Sequence, residues 1–442
     1  MRYTPHTEAD LRRALEVIGV PDARALFADV PPDLLGPELD LPPAMDEVTL
    51  TEHVRELASR NRVPGRHFLG GGCQTHFRPA VVDALALQSK FVTSYTPYQP
   101  EVAQGILQAM FEFQSVMVEL TGLDVSNASL YDGASAAAEA ALLALRQTGR
   151  DLVAISEGVH PEYRQTVATY LEAVGARLVT LPLEGGLTPV NPVPEGLAAL
   201  IVQNPNFLGS LEAMERLCAQ THARGGLFVA VVDPLSLAVL KAPGEYGADV
   251  AVGDGQTLGN APNFGGPAYG FMVVREALLR QLPGRLSGAT RDTQGRRAFV
   301  LTLQAREQHI RRAKAKSNIC SNHQLMALQS LVQVCALGPA GLREAATVGA
   351  LRAHQLADRL ESLGLRVLSA PFFNEFAAQL PVPAAQLRRQ LAERGLHAAV
   401  PVPESYRLGQ AALFCCTELT RAEDLELLSS AVSELLPGEK RA

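Results

Sequence analysis

Between Phe68 and about Thr302, short apolar runs alternate with helix-length segments, and this alternation constrains the fold more than any other feature. The runs lie at 152–155, 177–181, 199–202, 227–232, 250–252 and 270–274. Most are separated by stretches with helical spacing, at 134–147, 161–174 and 210–224. Strands that alternate with helices predict a mainly parallel sheet covered on both faces. Strands buried on both faces need many apolar residues, and the 47% hydrophobic content supplies them.

The flanks read differently. Residues 1–66 form a helical arm, in which Thr49 and Glu52 make a capping-box pattern. Leu50, Val54, Leu57 and Ala58 follow at helical spacing. Prolines at 31–32 and 42–43 predict that this arm wraps over a surface instead of forming its own domain. From 320 to 442, helices at 321–337 and 341–363 lead into short strands at 366–369, 374–379, 398–400 and 412–416. Helices at 384–395 and 421–435 alternate with these strands. The domains are therefore an arm at 1–66, a large α/β domain at 67–319 and a small α+β domain at 320–442.

Composition excludes several classes. A net charge of −7 argues against nucleic-acid binding. No run of 18 apolar residues predicts a membrane span, and the N-terminus, with Glu8 and Asp10, does not read as a leader. The six scattered cysteines read as buried, reduced thiols of a cytoplasmic protein. His67, Cys73 and His76 straddle a glycine-rich turn, which is poor grounds for a metal site, and no metal is expected. The pair Gly253-x-Gly255 is an equally weak dinucleotide signal.

Four segments carry possible chemistry. Asp132-Gly133-Ala134-Ser135 opens a helix, whose free amides with Ser135 suit a phosphate or simply mark a tight loop-to-helix junction. Asp233 ends the apolar run 228–232, where ligands bind in α/β sheets, or it merely starts a turn. Arg306–Lys316 is cationic with helical spacing: a solvated face, or a docking surface for an acidic protein or an anion. Thr93-Ser94-Tyr95-Thr96-Pro97-Tyr98-Gln99 precedes a helix expected over 101–120, with Val102, Ile106, Leu107, Met110, Phe113 and Met117 on one face. Its prolines stiffen an aromatic, polar loop suited to contact.

Several segments together resemble the P-protein of the glycine cleavage system, in its alpha subunit or N-terminal half. They include Phe68–Cys73, Thr96–Glu101, Glu119–Asp124, Asn127–Gly133, His160–Arg164, Gln203–Phe207, Phe264–Pro267, Arg297–Gln308 and Ser317–Asn322. The resemblance implies a pyridoxal-phosphate (PLP) transferase-like fold of type I, with a seven-stranded, mainly parallel sheet and a small C-terminal α+β domain. In this fold the strand after the Asp233 strand is followed by the lysine that holds PLP. Here the sequence is Gly253-Asp-Gly-Gln-Thr257, and Thr257 stands nearest the vacant position. The five lysines, at 90, 241, 314, 316 and 440, lie elsewhere. The resemblance then implies an alpha subunit without catalysis of its own, working with a beta subunit that binds PLP covalently, in an alpha2beta2 heterotetramer. The pair would decarboxylate glycine and pass the aminomethyl group to lipoamide on H-protein. Thr93, Ser94, Tyr95, Thr96, Tyr98 and Gln99 would reach the partner's active site. Asp132, Gly133, Ser135, His160, Asp233 and Thr257 would form a vestigial PLP pocket. The alternatives are a structural scaffold that docks H-protein and a regulatory ligand-binding pseudoenzyme.

Overall fold

The computed structural model describes residues 5–36, 39–61, 65–92, 95–191, 193–369 and 371–436. The chain divides into two compact units, Met1–Val63 and Pro64–Ala442.

The first unit holds helices α1 (Glu8–Ile18) and α2 (Glu47–Ser59). The capping box expected at Thr49 is not the one used. Asp46, three residues earlier, accepts from the amides of Val48 (2.9 Å) and Thr49 (3.1 Å). The Thr49 hydroxyl donates to Asp46 instead (2.6 Å). A carboxylate is as good an N-cap as a hydroxyl and also complements the helix dipole. No described residue of this unit is buried, and the Leu50, Val54 and Leu57 stripe stays exposed.

The second unit is built on seven strands: β1 (Val125–Ser126), β2 (Leu152–Ser156), β3 (Arg177–Leu181), β4 (Leu197–Asn204), β5 (Leu227–Val232), β6 (Val250–Asp254) and β7 (Gly270–Val274). Their order is β1-β7-β6-β5-β4-β2-β3, with β7 antiparallel to both neighbours and the rest of the ladder parallel. Alternate residues feed opposite faces. Val153, Ile155, Val229 and Val231 pack against the alanines of α3 (Gly133–Thr148). Ala154, Leu200, Phe228 and Ala230 pack on the other side with Phe113 and Met117 of α4 (Gln104–Thr121). Small side chains let α3 lie close to the sheet, and Ala136 to Ala138, Ala140, Ala141 and Ala144 are all fully buried.

Two details of the large domain depart from the sequence reading. Helix α4 starts at Gln104, not Glu101, because Pro100 and Gln99 close turns onto Ala103 and Val102. Val102 is therefore outside the helix and 79% exposed, whereas Ile106, Leu107, Met110, Phe113 and Met117 are buried. Strand β1 and the antiparallel hairpin Ser287–Arg291/Arg297–Leu301 carry too little periodicity to be foreseen.

The long helix Gln324–Ser362 is apolar enough, by length and composition, to cross a membrane. It is interrupted at Gly338 (φ 62°) before Pro339, which yields the two helices expected there. Its apolar residues Ala353, Leu356 and Leu360 pack in a core beneath the small antiparallel sheet. That sheet runs in the order Arg366–Val367, Glu375–Gln379, Ala411–Cys415, Val400–Pro401.

Candidate functional site

The carboxyl ends of β5 and β6 open into a cleft of about 550 Å³, with the small sheet supplying one wall. Asp233 follows β5 directly. Its Oδ1 accepts from the Thr257 hydroxyl (2.5 Å) and from the Leu235 amide (3.1 Å). Burial raises its pKa, and the Thr257 hydrogen bond opposes that rise. Asp254 is the last residue of β6 and accepts from the amides of Gln256 (2.9 Å) and Gly133 (3.4 Å). Burial pushes its pKa up to about 6. Asp132 caps α3 by accepting from the Ser135 amide (2.7 Å).

The opposite wall is built on Glu375, the first residue of its strand in the small sheet. Its Oε1 accepts from the Gly71 amide (2.6 Å), and burial followed by nearby Asp233 raises its pKa to about 7. Gly70 permits this approach, since a Cβ there would lie 2.0 Å from Glu375 Oε1. His160 completes the rim. Its Nε2–H donates to the Gly71 carbonyl (2.9 Å), and its Nδ1 accepts from the Glu162 amide (3.2 Å), a pattern that assigns the neutral tautomer. Burial lowers the His160 pKa, in keeping with that state.

Segment 71–76 stitches the two walls together. Gln74 and Gln256 exchange hydrogen bonds, with Gln74 N–H donating to Oε1 (3.0 Å) and Gln256 Nε2 donating to the Gln74 carbonyl (2.8 Å). Asn374 donates to Gln74 Oε1 (2.8 Å), and His76 pairs with Glu418 (2.9 Å). A buried network of this kind holds its geometry only while every member is satisfied.

The sign of the carboxylate effect is testable. The folded pKa values of Glu375 and Asp254, about 7 and about 6, exceed the ordinary values of 4.5 and 3.8 for these side chains. Their protonated forms thus favour the folded state, a contribution complete below about pH 4 and lost as pH rises through 6 to 7. Thermal stability should fall between pH 5 and pH 8. Glu375→Gln should flatten that fall by an amount on the order of 2 kcal/mol, read from unfolding curves across the range. An unchanged slope would mean that Glu375 is not strained by burial.

Of the six residues expected in a pocket, Asp132, Ser135, His160, Asp233 and Thr257 line this cleft, and Gly133 gives its amide to Asp254. Asp254 and Glu375 were missed. Asp254 lay inside a motif weighed only for its glycines, and Glu375 opens an apolar strand far away in sequence. The contact loop lies elsewhere. Thr93 and Ser94 fall outside the described residues, and Tyr95, Thr96, Tyr98 and Gln99 do not line the cleft. Tyr95 is 82% exposed. Tyr98 meets His309 edge-on (5.6 Å between centroids), and the Arg285 guanidinium sits 5.8 Å from its ring centre. Such contacts add about 0.5–1 kcal/mol each at exposed sites, enough to orient a ring.

The cationic stretch 306–316 is not one helix. It forms short turns at Gln304–Arg306, Gln308–Arg311 and Arg312–Lys314, with Arg312 at φ 52°. Cys73, Cys320 and Cys335 are exposed, contrary to the reading of all six as buried. His67 stacks edge-on with His397 while His76 pairs with Glu418, and no metal-holding group of three such side chains occurs among the described residues.

A seven-stranded sheet with one antiparallel strand, a small α+β domain and an aspartate at the end of β5 define the fold type I class of PLP-dependent enzymes. A glutamate decarboxylase of Lactobacillus brevis shares this fold, with a TM-score of 0.67 at 12% identity over 90% of this chain and 94% of that one. The chain belongs to the glycine cleavage system P-protein family, whose model matches residues 1–432. It is 47% identical over 444 residues to the probable glycine dehydrogenase (decarboxylating) subunit 1 of Moorella thermoacetica, covering 99% of this chain and 100% of the relative. A crystal structure of inhibitor-bound glycine decarboxylase (P-protein) matches with a TM-score of 0.92 at 54% identity, covering 99% of this chain and 100% of that chain. Within the family this chain is similar to proteins named as subunit 1, among them that of Anaeromyxobacter dehalogenans, 48% identical over 98% of this chain and 100% of the relative.

The residues of the cleft do not suit PLP. No lysine or arginine lines it among the described residues. Two amides at the start of α3, where a phosphate would dock, already meet the carboxylates of Asp132 and Asp254. A phosphate dianion there would face two anions at close range, without a cation to offset them.

Proposed function

We propose that this chain is the partner without the cofactor-binding lysine in a two-subunit, alpha2beta2 glycine decarboxylase and lends its Tyr95–Gln99 loop to the active site of the other subunit. The observation that carries this reading is the separation of two features. Among the described residues no lysine lines the cleft to capture a cofactor, and the stiff aromatic loop is not part of its lining. A lysine amine captures PLP covalently and hands it on to the substrate amine, so that the ring can act as an electron sink. In this reading the partner holds PLP, and the pair removes CO2 from glycine and passes the aminomethyl group to the lipoyl arm of H-protein in the cytoplasm. Tyr95 and Tyr98 wall the entry to the partner's site, and Gln99 offers hydrogen bonds there.

The charge distribution favours a carrier-docking role beside the loop. Between Arg285 and Lys316 stand nine lysines or arginines and two acids, in a chain whose net charge is −7. His309 and Arg285 of this stretch are the residues that hold Tyr98. An acidic carrier steered to this surface would arrive next to the loop.

The hydroxyls are tested by Tyr95→Phe and Tyr98→Phe in the complex with the lysine-bearing subunit, by glycine–bicarbonate exchange. Loss of at least one hydroxyl should lower kcat about tenfold with little change in KM. Full activity in both variants would exclude a catalytic hydroxyl and leave only wall packing.

A further inference from the structure

We propose that Arg285 is a positioning residue, a buried cation that sets the ring of Tyr98. This role rests on the reading of the Tyr95–Gln99 loop given above, and it names what holds that loop's ring in place.

Arg285 carries its charge where a charge is costly. It is only 6% exposed, and its Nε has no hydrogen-bond partner among the described residues. No carboxylate pairs with it among those residues either. A guanidinium buried without a counter-ion persists only where something else answers the charge. Two neutral acceptors and an aromatic ring do so here. Nη1 donates to Asn322 Oδ1 (3.1 Å) and Nη2 to the Cys320 carbonyl (2.7 Å). The guanidinium carbon stands over the Tyr98 ring, 5.8 Å from its centre. A desolvated cation attracts a ring more strongly than a hydrated one, and a neutral side chain of the same size would not attract it in this way.

Arg285 is itself held from several sides. Its carbonyl accepts from the Ala128 amide (2.9 Å). Asn322 donates through Nδ2 to the Ala128 carbonyl (3.1 Å) and the Ser129 hydroxyl (2.8 Å). The Tyr131 hydroxyl accepts from the amides of Cys320 (2.9 Å) and Ser321 (3.4 Å), which fixes the segment whose carbonyl takes Nη2. Ser129 is fully buried at φ 120°, a conformation that favours glycine, and such strain persists only where the surroundings enforce it. Asn127–Gly133 and Ser317–Asn322 are two of the segments that carry the family resemblance, yet only Asp132 of the two lines the cleft. Both converge on Arg285. A rigid, strained segment thereby reaches the half-exposed ring through Asn322 and Arg285.

The test is a double-mutant cycle on the full chain, with Arg285→Met, Tyr98→Leu and the two combined. It is read by urea unfolding of the chain alone and by glycine–bicarbonate exchange in the complex with the lysine-bearing subunit. Tyr98→Leu should lower the urea midpoint in the wild type and shift it less than about half as far in Arg285→Met. In the complex, Arg285→Met should lower kcat about tenfold with KM changed by less than about twofold. In the Tyr98→Leu background the same change should lower kcat by less than about twofold. If Arg285→Met does not fold, Arg285→Lys takes its place in the cycle. A single ammonium cannot serve Asn322, Cys320 and the ring together, so the same non-additivity is expected with a loss of about threefold. Additive midpoint shifts would overturn the proposal, as would an equal fold-loss of kcat with and without the Tyr98 ring. So would full kcat in a folded Arg285 variant when Tyr98→Leu is impaired. Full kcat in Tyr98→Leu with non-additive midpoints would instead defeat the loop reading and leave Arg285 as the support of the ring.

Discussion

Without its partner, the chain should decarboxylate glycine about a thousandfold or more slowly than the assembled enzyme, because the amine that captures the cofactor is missing. Restoring that amine alone should not help. In Thr257→Lys the new ammonium would stand where the Thr257 hydroxyl now meets Asp233. It would face Asp233, with Asp254 and Glu375 lining the same cleft, and pair with carboxylate instead of cofactor. The start of α3 would still present Asp132 and Asp254 to an incoming phosphate. Added PLP should therefore give the variant no lysine-linked visible band and no exchange activity. A stable band with measurable exchange would show that the lysine was the sole deficiency.

Gly209→Ala should be the most damaging small substitution near the cleft. Gly209 has φ +87°, and a Cβ there would lie 2.0 Å from the Glu375 carbonyl oxygen. The left-handed conformation alone costs an L-residue about 1–2 kcal/mol. The backbone contact cannot be relieved by turning a side chain, so the strand carrying Glu375 must move. The total should reach about 3–5 kcal/mol, measured by urea unfolding of the chain. A loss below about 1 kcal/mol would mean that the wall of the cleft yields easily.

Much of this architecture was legible because burial on two faces writes itself into sequence. Runs such as Phe228–Val232 and Leu197–Val202 are apolar at every position, and flanking helices identify them as parallel strands. The break in the helix at Gly338–Pro339 is equally local, since proline and glycine act on their own backbone. The pocket was half legible. Asp233 and Asp132 sit at junctions that any α/β sheet uses for ligands. Glu375 and Gln74 meet them only through tertiary packing, across 142 and 58 positions of chain from Asp233 and Asp132, and no period or turn signal encodes that. The cap of α2 misled for the opposite reason, because two adequate caps, Asp46 and Thr49, competed within one turn and the carboxylate prevailed.

The account rests on the loop acting in a partner's site, and a mixing titration tests that most directly. A fixed amount of the lysine-bearing subunit is titrated with this chain, and glycine–bicarbonate exchange is followed together with co-elution on sizing. Wild type should raise activity to a plateau at one chain per partner. Tyr95→Ala/Tyr98→Ala should co-elute at the same ratio, yet level off at about a tenth of that activity or less. A double variant that co-elutes and reaches the full plateau would contradict the account and make the chain a scaffold.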